Sequence, residues 1–276
     1  MTPEPGSPPD YHQVTSDPQP PSHQLREAPI LGGLAPSAGL TSSDDPCRRR
    51  TRVPAVGVIW DLDGTLADTE RAHFLAWQRF CLNFDRVLTW EQFKPTFGLS
   101  NPDVLRLLIS SDLSDDDLQR LSDEKEALFR NTPGAILPMP GSVKLARHLH
   151  ALSIPQAIGS SAPPENIPYV LEALGVADLF VAIVCRWDVE QGKPAPDIFL
   201  RAAEKIGLPP SNCIVLEDAP PGITAARAAG MRCIALEGTW PAETLRNADY
   251  RVSTLADMVW DRTAYAEFAS GAWKPS

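Results

Sequence analysis

The feature that most constrains the fold is a series of five short, nearly continuous apolar segments that begins at residue 56. Continuous apolar character is typical of strands that are buried on both faces, as in a parallel sheet covered by helices. Amphipathic segments of helical length alternate with them, and several end at a glycine, as helices commonly do. This alternation predicts an α/β core with a doubly wound parallel sheet. The predicted strands are 56–60, 154–158, 179–185, 212–216 and 232–236, and the predicted helices are 142–152, 166–175, 197–207 and 222–230.

One long stretch interrupts the alternation directly after the first predicted strand. Residues 69–134 have helical periodicity and no convincing strand. An insertion at this point would lie over the carboxyl ends of the strands, where α/β folds bind their ligands. We therefore predict a helical cap over 69–134, acting as a lid on a core formed by 53–68 and 135–276.

Residues 1–52 have a different composition from the rest of the chain. Many of the 28 prolines lie here, with Ser, Gln, Asp and Gly between short apolar runs. Such a segment buries too little apolar surface to offset its chain entropy, so we predict a disordered tail. Its final basic cluster is interpreted as solvated linker rather than a localisation or docking signal, although organelle targeting stays open as an alternative to the cytoplasm. The cluster comprises Arg48, Arg49, Arg50 and Arg52.

Charge and composition exclude several classes of function. The formal net charge of -10 argues against generic nucleic-acid binding, which depends on neutralising phosphates with Lys and Arg. No run approaches the roughly 18 apolar residues that span a bilayer. The five cysteines are odd in number and lack CxxC spacing, which favours neither a disulfide framework nor a zinc site. We expect a cytoplasmic monomer that binds neither nucleic acid nor a membrane.

The strongest motif is the sequence WDLDGTLADTE, at the end of the first predicted strand. Asp61 and Asp63 are two residues apart on an extended segment, so both carboxylates can reach one small volume, and Gly64 permits a sharp turn. Two such acids need a cation or a shared proton. An isolated DxD is more often a capping aspartate followed by a turn, so the other strand ends are needed to decide.

Polar residues also follow the other predicted strands. The hydroxyls of Ser160 and Ser161 could hold an anion or cap a helix. Lys193 precedes a helix, where a lone lysine would normally be a surface residue. Glu217 and Asp218 could cap the next helix or supply hard oxygen ligands for Mg²⁺. Because the carboxyl ends of parallel strands meet at one edge of the sheet, this combination argues against chance clustering.

The combination resembles the haloacid dehalogenase superfamily of phosphotransferases over about residues 56–258, with all four signature segments in order. Within it, the helical insertion and the runs HFLAW, GKPAPDIF and VLEDAPPGI are most similar to the β-phosphoglucomutase-like phosphatases. The resemblance implies a Mg²⁺-dependent phosphohydrolase that acts on a small phosphorylated metabolite, such as a sugar phosphate, through an aspartyl-phosphate intermediate.

The resemblance also implies roles for individual residues. Asp61 would be the nucleophile, and Asp63 would be the acid and base that protonates the leaving alcohol and then activates water. Mg²⁺ would be held by Asp61, the backbone carbonyl of Asp63, and Asp218, with Glu217 as a direct or water-mediated ligand.

The resemblance assigns the remaining site residues to the substrate. Ser160 and Lys193 would hold the phosphoryl oxygens. His73, which shares a helical face with Trp77, would contact substrate or orient Asp63, or would simply pack in the helical layer.

Three departures from the related families favour one reaction over its alternatives. Thr65 follows the glycine of the first motif, as in phosphatases of the family. Phe97 and Asn101 stand where mutase relatives have basic residues for a second phosphate, which disfavours a β-phosphoglucomutase-type phosphosugar mutase. The second aspartate, Asp63, disfavours dehalogenation. A catalytically silent binding or regulatory module is the alternative of another class, and retention of all the acids and Lys193 argues against it.

Overall fold

The computed structural model describes residues 55–132 and 134–272. The predicted disordered tail and its arginine cluster therefore lie outside the described residues. None of the helices in the described part of the chain is long and apolar enough to cross a membrane.

The described residues form eight strands and nine α-helices. The strands are β1 (Gly57–Trp60), β2 (Ala67–Asp68), β3 (Leu137–Pro138), β4 (Gln156–Gly159), β5 (Ala182–Val184), β6 (Cys213–Glu217), β7 (Arg232–Leu236) and β8 (Tyr250–Val252). The helices are α1 (Glu70–Leu82), α2 (Trp90–Phe93), α3 (Asn101–Leu108), α4 (Asp115–Arg130), α5 (Ser142–Ala151), α6 (Asn166–Leu174), α7 (Asp197–Lys205), α8 (Pro220–Ala228) and α9 (Arg262–Ser270).

Six strands form one parallel sheet in the order β5-β4-β1-β6-β7-β8. The chain adds strands on one side of β1 and then returns to add the others on its opposite side. The predicted doubly wound α/β fold is confirmed, and the reversal at β1 creates the crevice in which such sheets bind ligands.

The five predicted strands are present with small shifts in their ends. The prediction for 179–185 is wrong at its start, because Ala177–Leu179 form a short 3₁₀ turn before β5. Strand β8, helix α9 and the pair β2 and β3 were not predicted. These strands have only two or three residues, too few to show a period, and β8 carries the exposed Arg251 between its neighbours.

Each face of the sheet has its own apolar core. Trp60 and Ile158 point to the face covered by α5, α6 and α9, whereas Ile59 and Val215 point to the face covered by α7 and α8. This alternation follows from the period of two along a strand. Burial on both faces explains why the strands lack an alternating polar pattern.

The helices α1, α3 and α4 pack around a separate cluster of buried residues that includes Phe74, Trp77, Phe80, Leu105 and Leu121. We call α1 to α4 the cap helices. The chain leaves the sheet through β2 and returns through β3, and these two strands pair antiparallel, with Asp68 opposite Leu137. Both connections to the cap helices therefore lie side by side.

The register of the central strands aligns their ends. Trp60 of β1 lies opposite Ile158 of β4 and Leu216 of β6. The next residues, Asp61 and Glu217, are therefore neighbours at the edge, and the amide of Asp61 donates to the carbonyl of Leu216 at 2.9 Å.

Gly141 lies directly before α5, and its substitution tests whether the turn into that helix requires glycine. It has φ of +84°, and a Cβ there would overlap the backbone of Leu255 and Ala256. We predict that Gly141→Ala lowers the free energy of unfolding by about 2–4 kcal/mol, because left-handed strain and steric overlap add. Gly175, with φ of +62° and open space around it, is the matched control, and its change to Ala should cost about 1 kcal/mol. Equal losses in urea unfolding of the two variants would contradict this account.

Candidate active site

A cavity of about 1080 Å³ lies between the carboxyl edge of the sheet and the cap helices. Every residue that the sequence singled out for the site lines it. These residues are Asp61, Asp63, His73, Ser160, Ser161, Lys193, Glu217 and Asp218.

The floor of the cavity is organised by a buried lysine. The Nζ atom of Lys193 donates to Asp61 Oδ1 at 2.6 Å and to Glu217 Oε1 at 2.8 Å. Burial disfavours its charge, but the two carboxylates outweigh that effect and raise its pKa above the ordinary value. A lysine expected on the surface from its local sequence is thus fixed as a cation between two strand ends.

Glu217 is held by the backbone as well as by Lys193. Its Oε2 atom accepts from the amides of Asp218 and Ala219, each at 2.7 Å. These two amides precede α8, and the N-cap of that helix, Ala219, has no side-chain cap, so Glu217 fixes the turn before the helix rather than capping it. Its role as a ligand of Mg²⁺ stays a prediction.

Asp218 approaches the first motif closely. Its Oδ1 atom accepts from Thr65 Oγ1 at 3.1 Å. A Cβ at Gly64 would overlap the Asp218 carboxylate, and Gly64 has φ of +85°, so both the turn and the close approach require glycine.

Three buried carboxylates form a group that fits a divalent cation. One oxygen from each of Asp61, Glu217 and Asp218 lies within 4.8 Å of the others. Burial, together with the charge of Glu217, raises the pKa of Asp61 to about 7, and burial and the neighbouring acids raise the pKa of Asp218 well above its usual value. A bound cation would relieve this repulsion, and carboxylate oxygens are the ligands that Mg²⁺ prefers.

Asp63 has a different environment from Asp61. Its Oδ1 atom accepts from Thr69 Oγ1 at 2.6 Å, and His73 Nε2 lies 3.8 Å from the same oxygen. Burial acts to raise the pKa of Asp63, but the interactions with His73 and Thr69 outweigh it and hold the pKa below its usual value. The first residues of the cap helices therefore contact the second acid of the motif.

Behind His73 lies a buried ion pair that the sequence analysis missed. Lys125 Nζ is 2.7 Å from His73 Nδ1 and donates to Glu126 Oε1 at 2.8 Å. Lys125 is 1% exposed. Burial acts against the charged form of Glu126, but Lys125 and the neighbouring hydrogen bonds hold its pKa at about 2.

Glu126 also connects two cap helices to the core. Its Oε1 atom accepts from Asn101 Nδ2 and its Oε2 atom accepts from Asn166 Nδ2, both at 2.7 Å. Arg130 in turn donates to Asn166 Oδ1 at 2.7 Å. A periodic signal could have located Lys125 alone, because it occupies the same buried stripe of α4 as Leu118, Leu121 and Phe129.

The two serines differ in their surroundings. Ser160 is 1% exposed, and its Oγ atom accepts from the amide of Ala162 at 3.0 Å. Ser161 is exposed to the cavity. Both serines line the cavity, Ser160 as a buried residue and Ser161 as an exposed one.

Comparison with known proteins agrees with the fold and the motifs. The family model of haloacid dehalogenase-like hydrolases matches residues 56–230. The chain is 32% identical over 210 residues to the probable pseudouridine-5'-phosphatase of Drosophila melanogaster, covering 72% of this chain and 89% of that protein. It is 33% identical over 179 residues to the fructose-1-phosphate phosphatase of Escherichia coli, covering 64% of this chain and 94% of that protein.

A solved structure of similar architecture is the β-phosphoglucomutase of Clostridium difficile. The TM-score is 0.62 at 25% identity, with 74% of this chain and 93% of that chain covered. The chain belongs to the haloacid dehalogenase-like hydrolase family. The family resemblance and the prediction of an enzyme of the phosphatase class are confirmed.

The depressed pKa of Glu126 predicts how acid affects stability. A group whose pKa is lowered on folding stabilises the folded state above its unfolded pKa of about 4.5, and this contribution is lost as the pH falls toward 2. The shift corresponds to about 3 kcal/mol. We predict that Glu126→Gln lowers the free energy of unfolding by about that amount at pH 7, and that the difference narrows below about pH 4.5.

Urea unfolding across this pH range is the measurement. Glu124→Gln, an exposed change at the residue directly before Lys125, is the control and should change stability by less than about 1 kcal/mol. A Glu126→Gln difference that stays constant between pH 7 and pH 3 would be inconsistent with a buried, charged Glu126.

Proposed function

We propose that this protein is a Mg²⁺-dependent phosphohydrolase that cleaves a small phosphorylated metabolite through an aspartyl-phosphate on Asp61. The observation that carries the proposal is the convergence of Asp61, Asp63 and Lys193 on the floor of one cavity, beside a cluster of carboxylates. Phosphoryl transfer depends mainly on positioning and charge neutralisation, which is what this arrangement supplies.

In the first step the Asp61 carboxylate attacks phosphorus, and the bond from phosphorus to the leaving oxygen breaks. Asp63 donates its proton to that oxygen, so the alcohol leaves neutral. The contacts of Asp63 with Thr69 and His73 support this role, because they hold one of its oxygens and leave the carboxyl at the cavity wall.

In the second step a water molecule attacks phosphorus of the acyl phosphate. Asp63, now ionised, accepts the proton of that water, and the bond between phosphorus and Asp61 breaks to release inorganic phosphate. The lowered pKa of Asp63 favours the ionised form that this step needs and works against the protonated form that the first step needs. Each residue returns to its starting state.

Lys193 and Ser160 are assigned to the phosphoryl oxygens. The ammonium of Lys193 is fixed by two carboxylates, so it neutralises charge without needing to reorganise during the reaction. Mg²⁺ would be held by Asp61, Asp218 and Glu217 with the backbone carbonyl of Asp63, and when bound it neutralises charge on the phosphoryl group.

The walls of the cavity favour hydrolysis over a mutase reaction. Phe97 and Asn101 line the cavity where a second phosphate would need cations. Asn101 donates to Glu126 instead. Arg106, a possible substitute, is exposed beside Asp103 and is absent from the cavity lining.

The relatives favour a small substrate without identifying it. Their names specify pseudouridine 5'-phosphate and fructose 1-phosphate, both of which are phosphate monoesters of hydroxylated rings. We propose a substrate of that class for this chain. A screen of sugar, nucleoside and glycolate phosphates is the experiment that would identify it. The cytoplasmic location and the monomeric state stay predictions.

The nucleophile assignment predicts that Asp61→Asn abolishes turnover, because an amide cannot accept the phosphoryl group. With p-nitrophenyl phosphate and Mg²⁺, we expect a loss of more than about 10³-fold in kcat. Asp68→Asn, a partly buried change in the same segment and outside the cavity lining, is the control. Activity of Asp61→Asn within tenfold of wild type would overturn the assignment, provided that its circular dichroism spectrum is unchanged.

The metal assignment predicts that EDTA removes activity and that added Mg²⁺ restores it, since three buried carboxylates need a cation to face an anionic substrate. The metal should also raise the melting temperature of wild type and not of Asp218→Asn. Full activity after exhaustive chelation would refute a metal requirement.

The cavity walls predict the outcome with β-glucose 1-phosphate and a trace of the bisphosphate. We expect release of inorganic phosphate or no reaction, because Phe97 and Asn101 stand where cations would grip the second phosphate of an intermediate, and the lining cation Arg130 is engaged by Asn166. Accumulation of glucose 6-phosphate without phosphate release, measured with glucose-6-phosphate dehydrogenase, would establish the mutase instead. No turnover of any phosphate ester would favour the silent binding module.

A further inference from the structure

One buried amide joins the core to the cap helices. Asn166 is the first residue of α6, which belongs to the core, and it is 2% exposed. Its Nδ2 atom donates to Glu126 Oε2, and its Oδ1 atom accepts from Arg130, each at 2.7 Å. Glu126 and Arg130 are four residues apart on α4 and so share one face of that helix. We call these three residues the amide clasp.

The two partners fix the orientation of the amide. A carboxylate only accepts and a guanidinium only donates, so the NH₂ of Asn166 must face Glu126 and its oxygen must face Arg130. Hydrogen bonds to charged partners are stronger than neutral ones. Both partners belong to the cap helices, so the clasp is complete only when α4 lies against α6.

Glu126 connects the clasp to the reacting groups. Its other oxygen holds the Lys125 ammonium, which lies 2.7 Å from His73 Nδ1. An ammonium has donors and no acceptor, so His73 Nδ1 is the acceptor and His73 Nε2 carries the proton. That proton is on the side of Asp63.

We propose that Asn166 is a positioning residue that couples closure of the cap helices to the alignment of Asp63. When α4 docks on α6, the amide fixes Glu126, which orders Lys125, and the lysine sets the tautomer and position of His73 beside Asp63. When α4 moves away, Glu126 loses its contact with Asn166. The series of contacts that positions His73 beside Asp63 is then no longer held in place. The inference rests on the proposed function for the role of Asp63 as proton donor.

The closing experiment uses the dependence of rate on the leaving group. Phenyl phosphate needs a proton on its leaving oxygen much more than p-nitrophenyl phosphate does, because phenolate is the more basic leaving group. Loss of a residue that acts through Asp63 must therefore lower the rate of phosphoryl transfer from phenyl phosphate more than from p-nitrophenyl phosphate. A residue that only supports the fold or the cavity wall would affect both equally.

The variants are Asn166→Ala, which removes the amide, and Asn166→Asp, which keeps an acceptor for Arg130 and opposes Glu126. Asn131→Ala removes an exposed amide next to α4 and is the matched control. The quantity to measure is the single-turnover rate of phosphoenzyme formation. In both Asn166 variants we expect this rate to fall at least about tenfold more with phenyl phosphate than with p-nitrophenyl phosphate. KM should change less than about threefold, and the control should match wild type.

A second measurement, made without substrate, reports whether the amide clasp holds the cap helices against the core. Spin labels replacing the exposed residues Leu107 on α3 and Leu200 on α7, in a Cys47→Ser background, report the distance between cap helices and core. Both Asn166 variants should broaden this distance distribution toward longer values relative to Asn131→Ala.

The outcomes separate the inference from the proposed function. An unchanged distance distribution, equal slowing of the two substrates, or an effect confined to KM would each overturn the role of Asn166. Absence of phosphoenzyme in the wild-type protein would instead overturn the proposed function, while the spin-label distances would still decide whether the amide holds the cap helices on the core.

Discussion

The site depends on one buried cation, Lys193, held between Asp61 and Glu217 at the edge of the sheet. A charge in the interior is tolerated only when its hydrogen-bonding groups are paired, because an unpaired buried charge is strongly destabilising. The register of β1 and β6 brings the two acids together, and the loop after β5 delivers the lysine. Together with Asp218, these acids form a group that could hold a further cation.

The roof of the cavity has the opposite character. Phe97 and Trp240 line it, and Gly98 on the cap side packs so closely against Trp240 that a Cβ there would lie 3.2 Å from the ring. Four charged residues of α4 line the roof, namely Asp123, Lys125, Glu126 and Arg130. Lys125 and Glu126 are paired with each other, and Arg130 donates to Asn166. The roof also offers aromatic faces and an amide, from Trp77, Phe97 and Asn101, whereas the floor presents carboxylates and Lys193.

The fold and the floor of the site could be predicted from sequence because both depend on local patterns, namely apolar strand segments and the polar residues that follow them directly. Asp61 and Asp63 follow an apolar strand directly, and parallel topology then places every strand end at one edge. The network of Glu126 and Asn166 could not be predicted in this way, because 40 residues separate its members and each looks like an ordinary polar residue in its own helix. Strand β8 was missed since three residues do not establish a period.

The paired strands β2 and β3 have a consequence for how this enzyme could diversify. Asp68 and Leu137 are opposite each other, so the chain between them begins and ends at points only one strand spacing apart. Any inserted segment whose two ends lie one strand spacing apart could join β2 to β3, whatever its length or the arrangement of its helices. The strands of the parallel sheet would keep their register, so one set of cap helices could be exchanged for another while the carboxylates and Lys193 at the floor stay in place.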